Sequence, residues 1–146
     1  MDNIQISNMS LDDFYEIAPI YNNKFDDFWN ASILKSELDN INSKYIVAKL
    51  NNTVVGFAGI WFSVDDAHIT NIVVHNDFRH NGIGSLLLEK LISLAKQNNK
   101  TSLTLEVSIK NKYAQKLYDK YNFKNLGIRK KYYNGIEDAY IMTLYF

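Results

Sequence analysis

Apolar and polar positions follow two different periods along the chain, and these periods predict its strands and helices. Three runs rich in β-branched and aromatic residues lie between short polar turns, at Tyr45–Ala48, Val54–Phe62 and Ala67–Val74. Such runs are typical of strands, and the short turns favour an antiparallel meander. From Gly84 to Asn98 the apolar residues instead recur every three or four positions, which predicts an amphipathic helix packed on the sheet.

The remaining segments complete an alternation of strands and helices. A capping-box-like start at Ser10 predicts a first helix that bends near Pro19, and Asn30 is expected to cap a second helix. The other predicted elements are strands at Ile4–Ser7 and Leu103–Val107, helices at Ala31–Leu38 and Asn111–Tyr121, and two final strands joined at Asn134–Gly135. The resulting order, β-α-α-β-β-β-α-β-α-β-β, predicts an α/β (α+β) fold.

Composition narrows the class of protein. The 146 residues are expected to form one domain, residues 1–146, with 47% apolar residues and 16 basic residues balanced by 16 acidic ones. This balance disfavours nucleic acid as a partner. The sequence shows neither a basic leader followed by an apolar stretch nor an apolar run of membrane-spanning length, so we expect a cytoplasmic protein with no membrane partner.

The residue types also limit the chemistry. The chain has no cysteine, which removes disulfides, thiolate metal sites and any mechanism that places an acyl group on a cysteine. The three histidines, His68, His75 and His80, lack the spacing of a zinc-binding helix. We therefore expect no metal.

A glycine-containing loop, RHNGIG at Arg79–Gly84, lies between the last strand of the meander and the amphipathic helix. Gly82 and Gly84 leave the backbone N–H groups accessible, and the N-terminus of a helix attracts negative charge. With Arg79 or His80 beside it, the loop could cradle a diphosphate. The two glycines could equally serve a tight turn and nothing more. The spacing fits neither a Walker loop nor a Rossmann fingerprint.

In this context the sequence resembles the GNAT superfamily of acyl-CoA-dependent N-acetyltransferases, whose signature [RQ]xxGx[GA] is matched by Arg79, Gly82 and Gly84. The resemblance implies acetyl-CoA as acetyl donor and a mixed, mostly antiparallel twisted sheet of about seven strands with four helices. In that family the backbone of the strand before the loop pairs with the pantetheine arm. The cofactor-binding residues implied here are Ile72, Val73, Val74, Arg79, His80, Asn81, Gly82, Ile83, Gly84 and Ser85.

The strand before the loop changes the phase of its apolar positions. Ala67 and Ile69 fall on odd positions, whereas Ile72 and Val74 fall on even ones. A β-bulge near Thr70–Asn71 would explain the change. Such a bulge would also turn a backbone N–H toward a thioester carbonyl, where it could stabilise an oxyanion.

Three polar residues follow at positions where each has an ordinary explanation. Glu106 stands in the middle of an apolar strand, where an unpaired ionised carboxylate would be costly. It could share a solvent face with Thr104 or act as a general base in a cleft. Asn111 has the position of a helix N-cap, and Tyr118 lies on the apolar face of the following helix, as a core tyrosine would.

The pattern LEVxxxNxxAxxLYxxxxF, which contains these residues, resembles the corresponding segment of bacterial ribosomal-protein-alanine N-acetyltransferases. The resemblance implies Glu106 as proton acceptor, Tyr118 as proton donor and Asn111 as an acetyl-CoA ligand. It extends through the ending GxRxxYYxxxxEDAxxM, here Gly127 to Met142. Two departures exist: Ser108 stands where the family often has arginine, and FDDFWNAS replaces an FPWS-like segment between the first two helices.

The implied activity is transfer of an acetyl group from acetyl-CoA to a primary amine, by direct attack in a ternary complex. The implied acceptor is the N-terminal α-amine of a protein. Lysine side chains and small amines such as polyamines or antibiotics stay open, because the departures fall where the acceptor is chosen and Asp26–Asp27 adds acidic charge. A non-catalytic acetyl-CoA-binding module is a further alternative, against which Glu106 and Tyr118 argue. Monomer and homodimer are both open.

Overall fold

The computed structural model describes residues 3–25, 29–133, 135 and 137–146. Within these residues the predicted order of strands and helices is confirmed. The strands are β1 (Ile4–Asn8), β2 (Ser43–Leu50), β3 (Thr53–Phe62), β4 (Asp66–Val74), β5 (Ser102–Ser108), β6 (Lys124–Tyr133) and β7 (Glu137–Tyr145). The α-helices are α1 (Leu11–Ile17), α2 (Ala31–Leu38), α3 (Ile83–Gln97) and α4 (Lys112–Lys120). Asn134 of the predicted last turn lies outside the described residues.

Helix ends follow the local signals in the sequence. Ser10 caps α1 in a reciprocal capping box with Asp13, and the Asn30 side chain accepts a hydrogen bond from the N–H of Ile33 at the start of α2. After α1 the chain tightens into a 3₁₀ turn that contains Pro19 and then widens into a π turn at Tyr21–Phe25. The helix predicted to bend near Pro19 instead ends at Ile17, and Pro19 lies in the 3₁₀ turn that follows. The described helices include none long and apolar enough to cross a lipid bilayer.

One seven-stranded sheet orders the strands β1-β2-β3-β4-β5-β7-β6. Every neighbouring pair is antiparallel except β4 and β5, which run parallel. That parallel pairing is short, because it joins Asp66–His68 to Ser102–Thr104 and extends no further among the described residues. The later residues of β4 and β5 therefore separate and open a gap in the middle of the sheet.

Helices cover both faces of the sheet. Leu87, Leu88 and Leu91 of α3 pack with Tyr118 of α4 in one buried cluster, which confirms the predicted apolar face of α3. On the other face, Phe14 of α1 and Leu34 of α2 belong to a second cluster with Tyr45, Phe57 and Val73 from the sheet. The gap between β4 and β5 consequently opens toward two different helical layers.

The predicted bulge lies in β4. Asn71 pairs with Gly59 and Ile69 pairs with Ile60, so Thr70 is an extra residue without a partner on β3. Ala67, Ile69, Ile72 and Val74 all belong to the cluster beneath α3 and α4, whereas Val73 faces the other one. The change of phase in the sequence is thus a real feature of the strand.

Candidate active site

Two cavities meet where β4 and β5 separate. One, of about 460 Å³, lies toward the start of α3 and α4, and the other, of about 290 Å³, lies beside the bulge and β5. The two are lined in common by Ile72, Val73, Asn111, Ala114 and Tyr118. The larger cavity also brings together most of the predicted cofactor-binding residues: Val74, Arg79, His80, Gly82, Ile83, Gly84 and Ser85.

The free edge of β4 forms one wall of the larger cavity. Ile72, Val73 and Val74 pair with Ala58, Phe57 and Gly56 of β3 on one side. Their other side faces the gap, because the described pairing with β5 ends at His68. An extended chain with peptide-like amides can bind such an edge as an added strand. The edge therefore suits a pantetheine arm.

The loop before α3 contains two residues with positive φ, His80 at 64° and Gly82 at 82°. Gly82 is the N-cap residue of α3 with φ 82° and ψ 4°, and it offers no side chain to occupy the N–H groups of the first turn. Asn81 does not line the cavity; its side chain instead donates hydrogen bonds to the carbonyls of Phe78 and Arg79, at 3.1 Å each. The first turn of α3 is left as a site for an anion.

Arg79 has two backbone partners. Its Nε donates to the carbonyl of Val74 at 3.0 Å, and one terminal nitrogen donates to the carbonyl of Phe25 at 2.9 Å. These bonds join the loop to the end of β4 and to the π turn before α2. His80 stacks edge-on against Tyr113, with ring centroids 4.4 Å apart. The structure gives Arg79 a structural role in the loop, and the phosphate contact expected of it stays a prediction.

Glu106 lies in the smaller cavity and is held at both oxygens. His68 Nε2 donates to its Oε2 at 2.6 Å, and Arg129 Nη1 donates to its Oε1 at 3.2 Å. Glu106 shares the partly exposed face of β5 with Thr104, but its own side chain is only 9% exposed and lines the cavity. Burial raises the pKa of Glu106, but the hydrogen bonds and the electrostatic effects of His68 and Arg129 together hold it below its usual range. The carboxylate is therefore ionised at neutral pH.

Tyr118 forms part of the boundary between the two cavities. Its ring packs with Phe123, with centroids 5.8 Å apart, and 8% of the residue is exposed. Burial raises the pKa of Tyr118 to about 12, so the phenol is protonated at neutral pH. Tyr118 is therefore packed in the core, as its position on the apolar face of α4 predicts, and it also lines both cavities.

Asn111 is the N-cap of α4, as its position in the sequence suggests. Its Oδ1 accepts from the N–H of Ala114 at 3.1 Å, and the residue lines both cavities. The cap fixes the side chain at the entrance to the gap. A ligand there would meet the remaining amide group of Asn111, which keeps the predicted role physically reasonable.

Sequence reasoning does not predict His68 as a site residue, and it leaves open what the two departures from the family pattern do. His68 is treated there only as an unsuitable metal ligand, although it is a direct partner of Glu106. Ser108, one of the two departures from the family pattern, donates to Glu137 Oε2 at 2.7 Å and lines the smaller cavity. Asp26, Asp27 and Phe28, within the other departure, lie outside the described residues.

Comparison with known proteins agrees with this geometry. The model of the acetyltransferase (GNAT) family matches residues 6–123. A protein of Bacillus subtilis (strain 168) is 36% identical over 140 residues, 94% of this chain and 92% of that protein. The [ribosomal protein bS18]-alanine N-acetyltransferase of Haemophilus influenzae is 37% identical over 123 residues, 80% of this chain and 82% of that protein.

A solved structure extends the likeness to the whole fold. The ribosomal-protein-S18-alanine N-acetyltransferase from Escherichia coli superposes with a TM-score of 0.87 at 29% identity, covering 97% of this chain and 93% of that one. The fold is therefore that of a known N-acetyltransferase. The chain belongs to the acetyltransferase (GNAT) family and is an acetyl-CoA-dependent N-acetyltransferase.

Proposed function

We propose that this enzyme acetylates the N-terminal α-amine of a protein, with an alanine at the N-terminus of a ribosomal protein as the first candidate. One observation carries the proposal. The Glu106 carboxylate, which His68 and Arg129 hold as an anion, lines the smaller cavity, and Tyr118 lines both this cavity and the larger one on the cofactor side. The names of the Haemophilus influenzae and Escherichia coli relatives support this acceptor class. We also propose that residues 1–146 act as one domain.

The donor side is assigned to the larger cavity. The diphosphate would meet the backbone of Arg79–Ser85 at the first turn of α3, where the helix dipole favours negative charge. The pantetheine arm would lie along the free edge of Ile72–Val74, and Asn111 would contact it at the start of α4. This places the thioester at the gap beside Tyr118.

In the transfer, the nitrogen of a protonated amine must lose two protons and the sulfur of the thioester must gain one. An α-amine has an unperturbed pKa of about 7.7 to 8.0, so most of it is protonated at neutral pH. Glu106 takes one proton from the ammonium group, directly or through water, and this frees the lone pair of the nitrogen. The nitrogen bonds to the acetyl carbonyl carbon while an N–H near Val73 or Val74 holds the oxyanion. The C–S bond breaks as Tyr118 protonates the sulfur, and the nitrogen releases its second proton to solvent. Tyr118 then recovers its proton from solvent, and Glu106 releases to solvent the proton that it took. The chain's lack of cysteine favours this direct transfer.

A panel of acceptors tests the proposal. The protein and acetyl-CoA are incubated with peptides that begin with Ala, Ser or Gly, with internal-lysine peptides whose N-termini are blocked, and with polyamines, and products are identified by mass spectrometry. We expect the α-amine of Ala-starting peptides to be the preferred acceptor. Preferred acetylation of lysine or polyamines would replace the proposed acceptor, and acetyl-CoA binding without any product would indicate a non-catalytic module.

Glu106→Gln provides the matched control for the chemistry. The substitution keeps the shape of the side chain and removes the base, so turnover should fall by about 10²–10⁴-fold while acetyl-CoA binding is retained. An acetylated protein detected before the acceptor is added would contradict direct transfer.

A further inference from the structure

Tyr45 on β2 reaches past β3 to contact the bulged residue of β4. Its hydroxyl lies 3.0 Å from Thr70 Oγ1 and 3.5 Å from Glu37 Oε1. The tyrosine is 5% exposed, and burial raises the pKa of its phenol, so the hydroxyl keeps its proton. The contact thus connects two strands that are not neighbours in the sheet.

Gly59 makes this contact possible. It pairs with Tyr45 on one side and with Asn71 on the other, so it lies between the two strands that the hydrogen bond joins. A Cβ atom at Gly59 would overlap both the Tyr45 ring and Thr70 Oγ1. The tyrosine ring and the threonine hydroxyl therefore occupy the space that a side chain on β3 would fill. Glycine is needed at this position for space.

The hydrogen bond acts on the residue that sets the register of β4. Thr70 has no partner on β3, because the pairing passes from Ile69 directly to Asn71. A bulge displaced by one residue would turn the side chains between its old and new positions to the opposite face and disturb the backbone next to it. The segment that follows is Ile72–Val74, the free edge that lines the larger cavity.

We propose that Tyr45 is a positioning residue for acetyl transfer, and that its hydrogen bond to Thr70 holds the bulge in the register that directs the free edge of β4 to the thioester. Tyr45 touches neither substrate in this assignment and acts through Thr70. The inference rests on the proposed function, because it takes the thioester to lie against Ile72–Val74.

Two substitutions remove one hydroxyl each and keep the shape of the side chain: Tyr45→Phe and Thr70→Val. With an acceptor that the wild type acetylates, we expect kcat to fall about tenfold in each, a loss of about 1.4 kcal/mol in transition-state stabilisation, while KM for acetyl-CoA changes less than about threefold. Thr70→Ser retains the hydroxyl and should retain most of the activity. Both substitutions break the Tyr45–Thr70 hydrogen bond, and each also removes one longer contact, to Glu37 at 3.5 Å or to Asn71 at 3.4 Å. The loss in the double variant should therefore be well below the sum of the two single losses.

Thr143→Val is the matched structural control. Thr143 is also buried in the sheet, and its hydroxyl bonds that of Thr104 at 2.8 Å, between β7 and β5. Its substitution removes a comparable hydrogen bond outside the bulge, and kcat should stay at the wild-type value. An equal fall of kcat in Thr143→Val, additive losses in the double variant, or wild-type kcat in Tyr45→Phe would overturn the proposal.

Amide hydrogen exchange supplies a readout that needs no acceptor. In Tyr45→Phe and Thr70→Val, exchange should accelerate across residues 69–74 and stay unchanged in Thr143→Val. If the wild type acetylated no amine, the proposed function would fail, but exchange would still decide whether Tyr45 holds the bulge. Should Tyr45→Phe fail to fold, Thr70→Val carries the same test. Unchanged exchange over residues 69–74 would overturn the role given to Tyr45.

Discussion

His68 Nε2 lies 2.6 Å from Glu106 Oε2 at the point where β4 and β5 part. His68 pairs with Thr104, the residue two positions before Glu106 on the same face of β5, so the last paired position of β4 places its imidazole beside the carboxylate. Arg129 of β6 reaches the other oxygen from the far side. The parallel pairing of β4 with β5 thereby brings His68 to Glu106, and His68 and Arg129 together favour the ionised form of this carboxylate.

Stability as a function of pH should reveal this charge state. The folded-state pKa of Glu106 lies below its unfolded value, so its ionisation stabilises the fold above the unfolded pKa of about 4.3, and this contribution is lost as pH falls through the folded pKa. Wild type should therefore exceed Glu106→Gln in free energy of unfolding most at neutral pH. The difference should shrink in acid, as measured by urea unfolding between about pH 7 and pH 3.

Other carboxylates also have a lowered pKa, among them Asp13 in the capping box of α1. Because wild type and Glu106→Gln both contain them, their contributions to the pH dependence cancel in the difference between the two proteins. A difference in free energy that stays constant with pH would mean that Glu106 titrates alike in the folded and unfolded chains. The clamp by His68 and Arg129 would then have no effect on its ionisation.

Removing His68 should move the acid limb of the activity profile. In His68→Ala, Glu106 loses its shortest hydrogen bond and the electrostatic effect of the imidazole, and burial is then opposed by Arg129 alone of the two described partners. Its pKa should rise, so the acid limb of kcat/KM for the acceptor moves to higher pH. His68→Gln, which can still donate a hydrogen bond, should show a smaller displacement. Superimposable limbs in all three proteins would exclude His68 as a partner that tunes the base.

Local patterns predict much of this molecule. The capped start of α2 and the bulge at Thr70 both follow from neighbouring residues, and the structure has them where the sequence places them. The pairing of His68 with Glu106 depends instead on the parallel register of two strands far apart in sequence, and β-strand periodicity carries no information about such a register. Likewise, the space at Gly59 has meaning only once three strands are aligned.

Tyr118→Phe should separate chemistry from binding. The phenol has a pKa raised to about 12 by burial, so it is protonated across the working range and can serve as an acid without titrating. Loss of the hydroxyl should lower kcat by about 10²-fold and leave KM for acetyl-CoA nearly unchanged, because the ring still packs with Phe123. Stopped-flow and steady-state rates would measure the change. An unaltered kcat would remove Tyr118 from the role of proton donor.

Two glycines with similar φ angles allow the role of the loop in binding to be tested separately from its effect on stability. Gly82 at the start of α3 has φ 82°, and Gly135 between β6 and β7 has φ 69°. Among the described residues, no atom outside the glycine and its two chain neighbours lies within 4 Å of the place that a Cβ atom would take at either position, so alanine would add backbone strain and no clash with the rest of the fold. Each substitution to alanine should cost about 1–2 kcal/mol in free energy of unfolding.

Acetyl-CoA affinity should separate the two variants. Gly82→Ala places a methyl group and a strained backbone at the N–H groups that would receive the diphosphate, so the Kd of acetyl-CoA, measured by calorimetry, should rise about tenfold or more. Gly135 does not line either cavity, and Gly135→Ala should keep the wild-type Kd despite an equal loss of stability. If both variants bound acetyl-CoA equally well, Gly82 would serve only the turn into α3, and the diphosphate would have to bind elsewhere.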